Sequence, residues 1–215
     1  MFADRAEAGR ALAPSLEHLR GPRTVVLGLP RGGVPVAYEV ATALDAPLDV
    51  IVVRKLGAPA QPELAMGAVG EGDVVVLNHD VVRAAEVTEA ELAAAEHAER
   101  LVVEERARRF RAGRPRLSLA GRTALLVDDG IATGATARAA CLVARAMGAE
   151  RVVLAAPVGP VGVEQRFGGE ADEVVSLEQP PGFHAVGEAY RDFGQTTDDE
   201  VSTLLHRRAT EDLSE

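Results

Sequence analysis

The chain has 215 residues, 47% of them hydrophobic, which is enough to bury the core of one sizeable domain. Its formal net charge of −10 argues against broad nucleic-acid binding, and no apolar run reaches membrane-spanning length. One cysteine, Cys141, excludes an internal disulfide framework and suits a reducing cytoplasm, and the N-terminal residues show no charged-then-apolar leader pattern.

Asp4 to Leu19 reads as an amphipathic helix ended by Gly21-Pro22. Arg23 to Leu29 is a near-continuously apolar strand, as expected of a parallel strand buried on both faces. Pro30-Arg31-Gly32-Gly33 turns the chain into a helix over Val34 to Leu44, and Leu48 to Val53 is a second strand. Residues 54–72, rich in Gly, Ala and Pro, lack periodicity and read as a long loop of the functional kind. Asp73 to Leu77 is a short strand. Thr88-Glu89-Ala90-Glu91 is a capping box opening a helix to about Arg111, stopped by Gly113 and Pro115.

The apolar strand Ala124 to Val127 runs into Asp128-Asp129, then Gly130-Ile131-Ala132-Thr133-Gly134-Ala135-Thr136, then a helix from Ala137 to Met147. Strand Arg151 to Ala156, a helix Val161 to Phe167, strand Glu173 to Leu177 and a helix Thr197 to Arg208 complete the series. Glu211 to Glu215 reads as a frayed tail. Strands alternating with helices give an α/β fold with a mainly parallel sheet flanked by helices, in one domain over 1–215.

A strand, a tight loop and a helix start make an anion site: the first amides of the helix lack internal partners and its dipole favours negative charge. Gly134 allows close backbone approach, and Thr133 and Thr136 offer hydroxyls. Two carboxylates beside such a cradle would repel an anion unless they bind something else. Vicinal ribose hydroxyls fit, because ionised Asp is a pure acceptor. An ordinary helix cap explains one Asp or one Thr, not Asp128, Asp129, Thr133, Gly134 and Thr136 together. A P-loop lacks its Gly-Lys-Ser/Thr here, the dinucleotide glycine fingerprint is absent, and a receiver domain would need a late lysine.

Residues 124–136 resemble the phosphoribosyl-pyrophosphate (PRPP) signature of the type I phosphoribosyltransferases. The resemblance implies that Asp128 and Asp129 hold the ribose diol and that Ala132, Thr133, Gly134, Ala135 and Thr136 cradle the 5′-phosphate. Arg31, Gly32 and Gly33 resemble the family's pyrophosphate loop, beside which a plain turn with a surface arginine is the alternative. By position, 54–72 resembles the family's flexible catalytic loop, a lid that excludes water and brings cations to the leaving group. Arg54 and Lys55 are its candidate cations. Lys55 is the lone lysine among twenty-two arginines. Glu63 reads as solvated, with contact to metal or substrate as the alternative.

The family resemblance further implies Mg²⁺ as cofactor, bound mainly through PRPP and water. It implies transfer of the 5-phosphoribosyl group to a nitrogen nucleophile, such as a nucleobase, with release of pyrophosphate. The alternative is a catalytically silent PRPP-binding regulator. The five histidines show no metal-ligand spacing, so no protein-only metal site is expected. Ala132 stands where 6-oxopurine enzymes carry an Asp, which puts that chemistry in doubt. The segment about 80–112 looks like a helical insertion, and a small variable hood is expected. The overall pattern, with Pro-Glu-Leu-Ala-Met-Gly-Ala at 62–68, looks like a bacterial subgroup whose acceptor the sequence does not name. A homo-oligomer is compatible with these features. The six arginines of 106–116 read as cations complementing a helix C-terminus. Tyr190 and Phe193 read as core, with stacking on a base as the alternative.

Overall fold

The computed structural model describes residues 1–211. Five strands form an all-parallel sheet: β1 (Thr24–Gly28), β2 (Leu48–Val50), β6 (Thr123–Val127), β7 (Arg151–Val158) and β8 (Glu173–Glu178), in the order β2-β1-β6-β7-β8. The remaining three strands, β3 (Val53–Ala58), β4 (Gln61–Gly70) and β5 (Val75–Leu77), form a separate antiparallel sheet. All of β1 is buried, because helices cover both faces of the parallel sheet.

The period of two sorts the core accordingly. Val26, Leu125, Val127 and Val153 pack with α1 (Arg5–Leu12), α2 (Gly33–Leu44), α4 (Glu89–Arg111) and α6 (Asp198–Glu211). Val25, Leu27, Leu126 and Leu154 pack with α5 (Ala135–Ala146) on the other face. Cys141 lies in that second layer, where burial and the nearby Glu170 push its thiol up to about 12.

The chain leaves β1 for β2 on one side and later returns to place β6 on the other. The crevice beyond the carboxyl ends of β1 and β6 is therefore the topological switch point, the usual ligand site of such sheets.

Several expected elements change form. The first helix is α-helical only to Leu12 and continues as a 3₁₀ helix over Ala13–Leu19, with Pro14 at its start unable to supply an α-helical amide. The segment expected as a helix from Val161 is a 3₁₀ turn, Val163–Phe167. The helical insertion expected over about 80–112 is two helices, a short α3 (His79–Ala84) capped by the Asn78 side chain and the long α4. Glu211, expected at the head of a frayed tail, ends α6, and the rest of that tail lies outside the described residues.

The largest difference is 54–72, expected as a loop. It is a hairpin, with Lys55 opposite Ala68 and Arg54 opposite Val69, and β5 extends it. Its glycines serve cross-strand approach: a Cβ on Gly67 would overlap the Val76 carbonyl, and one on Gly57 would overlap that of Pro62. One face of this sheet meets α4 and the other meets α5.

Arg111, 5% exposed, fastens the hairpin's base. Its Nε donates to Asp49 at 2.7 Å, its Nη2 to the Val50 carbonyl at 3.0 Å, and both terminal nitrogens reach the Glu71 carboxylate. Asp49 also accepts from the amides of Val50 and Leu117, so the buried charges are paired and hydrogen-bonded.

Candidate active site

The turn after β1 and the loop after β6 meet at the switch point. The Leu29 amide donates to the Val127 carbonyl at 2.9 Å. Facing backbone requires glycine at position 33. A Cβ on Gly33 would lie 2.5 Å from the Val127 carbonyl and 2.8 Å from Asp128 Cα, and one on Gly32 would overlap the Asp129 carboxylate. Gly32 and Gly33 are thus brought beside Asp129 and Asp128.

The acid pair is electrostatically tense. Burial and the neighbouring Asp129 charge hold the Asp128 carboxyl well above the ordinary carboxylate range. The Asp129 amide donates to Asp128 Oδ1 at 2.9 Å, which partly offsets that rise. Burial also raises Asp129, and the Arg5 guanidinium pulls it back down.

Arg5 Nε donates to Asp129 Oδ2 at 2.8 Å, both side chains being largely buried. The same guanidinium donates to the Gly194 carbonyl and lies 4.1 Å from the Phe193 ring centroid. The Tyr190 hydroxyl donates to the Asp129 carbonyl at 2.6 Å, and its ring stacks on Phe193. Burial and the Asp129 charge raise the Tyr190 phenol, so it stays a donor. The start of the chain and the segment after β8 therefore close together over the acids. Phe2, Ala189 and Tyr190 form the apolar seam of this small hood.

Past the acids, Ala132, Thr133, Ala135 and Thr136 are exposed while Gly134 is buried. Gly134 has φ +79°, and a Cβ there would approach Phe167 to 2.9 Å. Both facts favour glycine. It is the N-cap of α5, and no side chain caps that helix, which leaves its first turn open toward an anion. The Ala135 amide reaches Thr133 Oγ1 at 3.5 Å.

The hairpin cations divide. Arg54, expected to serve the leaving group, points in this conformation to the α4 side, where Nε donates to Glu99 at 2.7 Å, because strand alternation turns it away from residues 132–136. Lys55, on the opposite face, pairs with the exposed Glu63 at 3.2 Å. It lines a cavity of about 530 Å³ together with Ala135 and Arg138 of α5. Arg31 faces neither acid. It lies 3.5 Å from Asp198 at the start of α6.

Arg5 escaped the sequence reading because it lies 124 positions from its partner and belongs to no motif. Tyr190 was visible as one of two tyrosines, though not as a donor to the acid loop. Among the described residues, no group of three or more His, Cys, Asp or Glu side chains could hold a metal ion by itself, and no helix is long and apolar enough to cross a membrane.

Comparison with known proteins agrees with this geometry. Proteins from Mycobacterium tuberculosis strains CDC 1551 and H37Rv, provisionally named phosphoribosyl transferases, are 60% identical over 207 residues. The match covers 96% of this chain and 47% of theirs, so the chain spans about half the length of these relatives. The crystal structure of TT1426 from Thermus thermophilus superposes with a TM-score of 0.87 at 46% identity, covering 96% of this chain and 98% of that one. The phosphoribosyl transferase domain model matches residues 4–172, a span that includes the β1 turn, the hairpin, the acid pair and the cradle: the chain belongs to the phosphoribosyl transferase domain family.

Proposed function

We propose that this protein transfers the 5-phosphoribosyl group of PRPP to a nitrogen nucleophile and releases pyrophosphate. The observation that carries the reading is the meeting of a turn closely packed through Gly33, a carboxylate pair and an uncapped helix start at one switch point. The 5′-phosphate would sit on 132–136, hydrogen-bonded by the first amides of α5 and the Thr133 and Thr136 hydroxyls. The ribose diol would donate to Asp128 and Asp129, and the pyrophosphate would lie along Arg31, Gly32 and Gly33.

These residues hold the sugar by both ends, so that the bond from the anomeric carbon to pyrophosphate faces the acceptor. Negative charge on the acid pair would also favour a ring that becomes cationic as that bond breaks. Lys55 is the hairpin cation on the α5 side, and rotation away from Glu63 would free it for the departing group.

Magnesium fits as an ion carried by the substrate. Asp129 Oδ2 is taken by Arg5 and Asp128 Oδ1 by an amide, so the acids offer outer-sphere contact through water rather than a protein cage. Bound there, it would neutralise charge on the pyrophosphate.

The test is pyrophosphate release from PRPP and Mg²⁺ across a panel of nucleobases and other nitrogen acceptors. Turnover with one acceptor supports the reading. Arg54 and Lys55 are both ion-paired in this conformation, which favours a PRPP-binding regulator as second reading. Tight PRPP binding with no release across the panel would establish that alternative.

A further inference from the structure

The arginine run 106–116 divides into two helix faces with different surroundings. On one face Arg111 is consumed by Asp49 and Glu71, and it ties the hairpin to the parallel sheet. On the other, Val102, Glu105, Arg106, Arg109 and Phe110 recur at helical spacing along one side of a cavity of about 520 Å³. The opposite wall is Pro30 and Arg31, the turn after β1, with Asp198 of α6. Three guanidiniums from two distant segments therefore converge on one space at the edge of the β1 turn.

Their present partners are few. Asp198 stands between two of them, 3.5 Å from Arg31 and 2.9 Å from Arg109. Arg106 makes no ion pair among the described residues. Arg31 and Arg109 are substantially exposed, and exposed ion pairs contribute little, so a multiply charged anion can displace a single carboxylate. Planar guanidinium forks match phosphate oxygens two at a time, which favours a diphosphate over a monocarboxylate. Cations complementing the α4 dipole would need no shared cavity. These two face the turn that carries Gly32 and Gly33.

The geometry points to α4 as a wall of the pyrophosphate subsite: Arg106 and Arg109 close with Arg31 on the terminal phosphate of PRPP. The inference rests on the reading that the turn 30–33 takes the pyrophosphate. It assigns to the long helix the leaving-group cations that Arg54, turned toward Glu99, does not provide. The same helix side that lines the cavity then sets how tightly the product pyrophosphate is retained.

The experiment is calorimetric titration of the full chain with Mg²⁺ and, separately, PRPP, pyrophosphate and ribose 5-phosphate. The proteins are the wild type, Arg106→Ala, Arg109→Ala and the double variant. Both positions are exposed, so unchanged melting temperatures are expected. Each substitution should weaken PRPP and pyrophosphate about tenfold and leave ribose 5-phosphate within about twofold, because only the first two carry the diphosphate. Arg109→Lys should recover part of the loss. Unchanged PRPP affinity in the double variant would overturn the assignment, as would equal weakening of all three ligands. Pyrophosphate that still binds to PRPP-saturated wild type, and does so through these arginines, would make the cavity a separate anion site and overturn it as well. A wild type that binds ribose 5-phosphate and pyrophosphate but not PRPP would remove the underlying reading, and the subsite with it.

Discussion

The acid-and-cradle segment and the hairpin are both contained in single stretches of chain, yet they are built in opposite ways. Residues 128–136 carry their turn in local features, a strand end, a glycine with φ +79° and an uncapped helix start, and distant groups such as Arg5 and Tyr190 only fasten it. Residues 53–70 take their shape from partners across a sheet and from two helices, with Arg111 arriving from 40 positions beyond Glu71. Local geometry writes a motif, whereas cross-strand pairing writes only a composition. Disturbing the first should therefore alter ligand affinity, and disturbing the second should alter stability.

Arg111→Ala should have the largest effect. It leaves Asp49 and Glu71 buried without their cation, and breaking such a pair from one side costs about 3–5 kcal/mol. Chemical denaturation should show this loss together with early proteolysis of the hairpin. A stability change below about 1 kcal/mol would mean that water already screens the cluster.

Next in size is the site itself. Asp128→Asn with Asp129→Asn removes two charge-assisted acceptors worth about 1.5–3 kcal/mol each, so PRPP affinity should fall at least a hundredfold, about tenfold per site. Isothermal titration checks this, and unchanged affinity would break the diol assignment.

Gly33→Ala probes the seam between the β1 turn and the acid loop. Its Cβ meets backbone on the other side, which cannot rotate away, so a loss of about 1–3 kcal/mol is expected by thermal or urea unfolding.

The Asp128 carboxyl supplies a pH test with a definite sign. Its native value lies above its unfolded value, so the native state binds more protons across that window. Stability should fall as pH rises from the ordinary carboxylate range toward the raised native value. Asp128→Asn should remove that fall and melt about 2–4 °C higher at mildly alkaline pH for each kcal/mol recovered. A melting profile with the same pH slope in both proteins would refute it.

Arg54→Ala should matter least, by under about 1 kcal/mol and without changing PRPP affinity, because the Glu99 pair is partly exposed. A large loss of PRPP binding would mean that the hairpin turns Arg54 inward with ligand.

The sequence by itself determined the alternation of strands and helices, the parallel sheet and the glycine turn into the α5 start after the acid pair. It also fixed the α4 start, where Thr88 and Glu91 make the capping box. All of these depend on period, capping and turn chemistry within a few residues. The glycines of 57 and 67 were ambiguous, because a glycine that opens a turn and one that admits a facing carbonyl read alike until the opposite strand is known. Tertiary structure alone decided that Arg5 holds Asp129, that Arg54 and Lys55 face opposite ways, and that Arg109 and Arg31 share Asp198. Those contacts join residues separated by up to 167 positions, and a long charged side chain carries no local mark of which distant carboxylate it will meet.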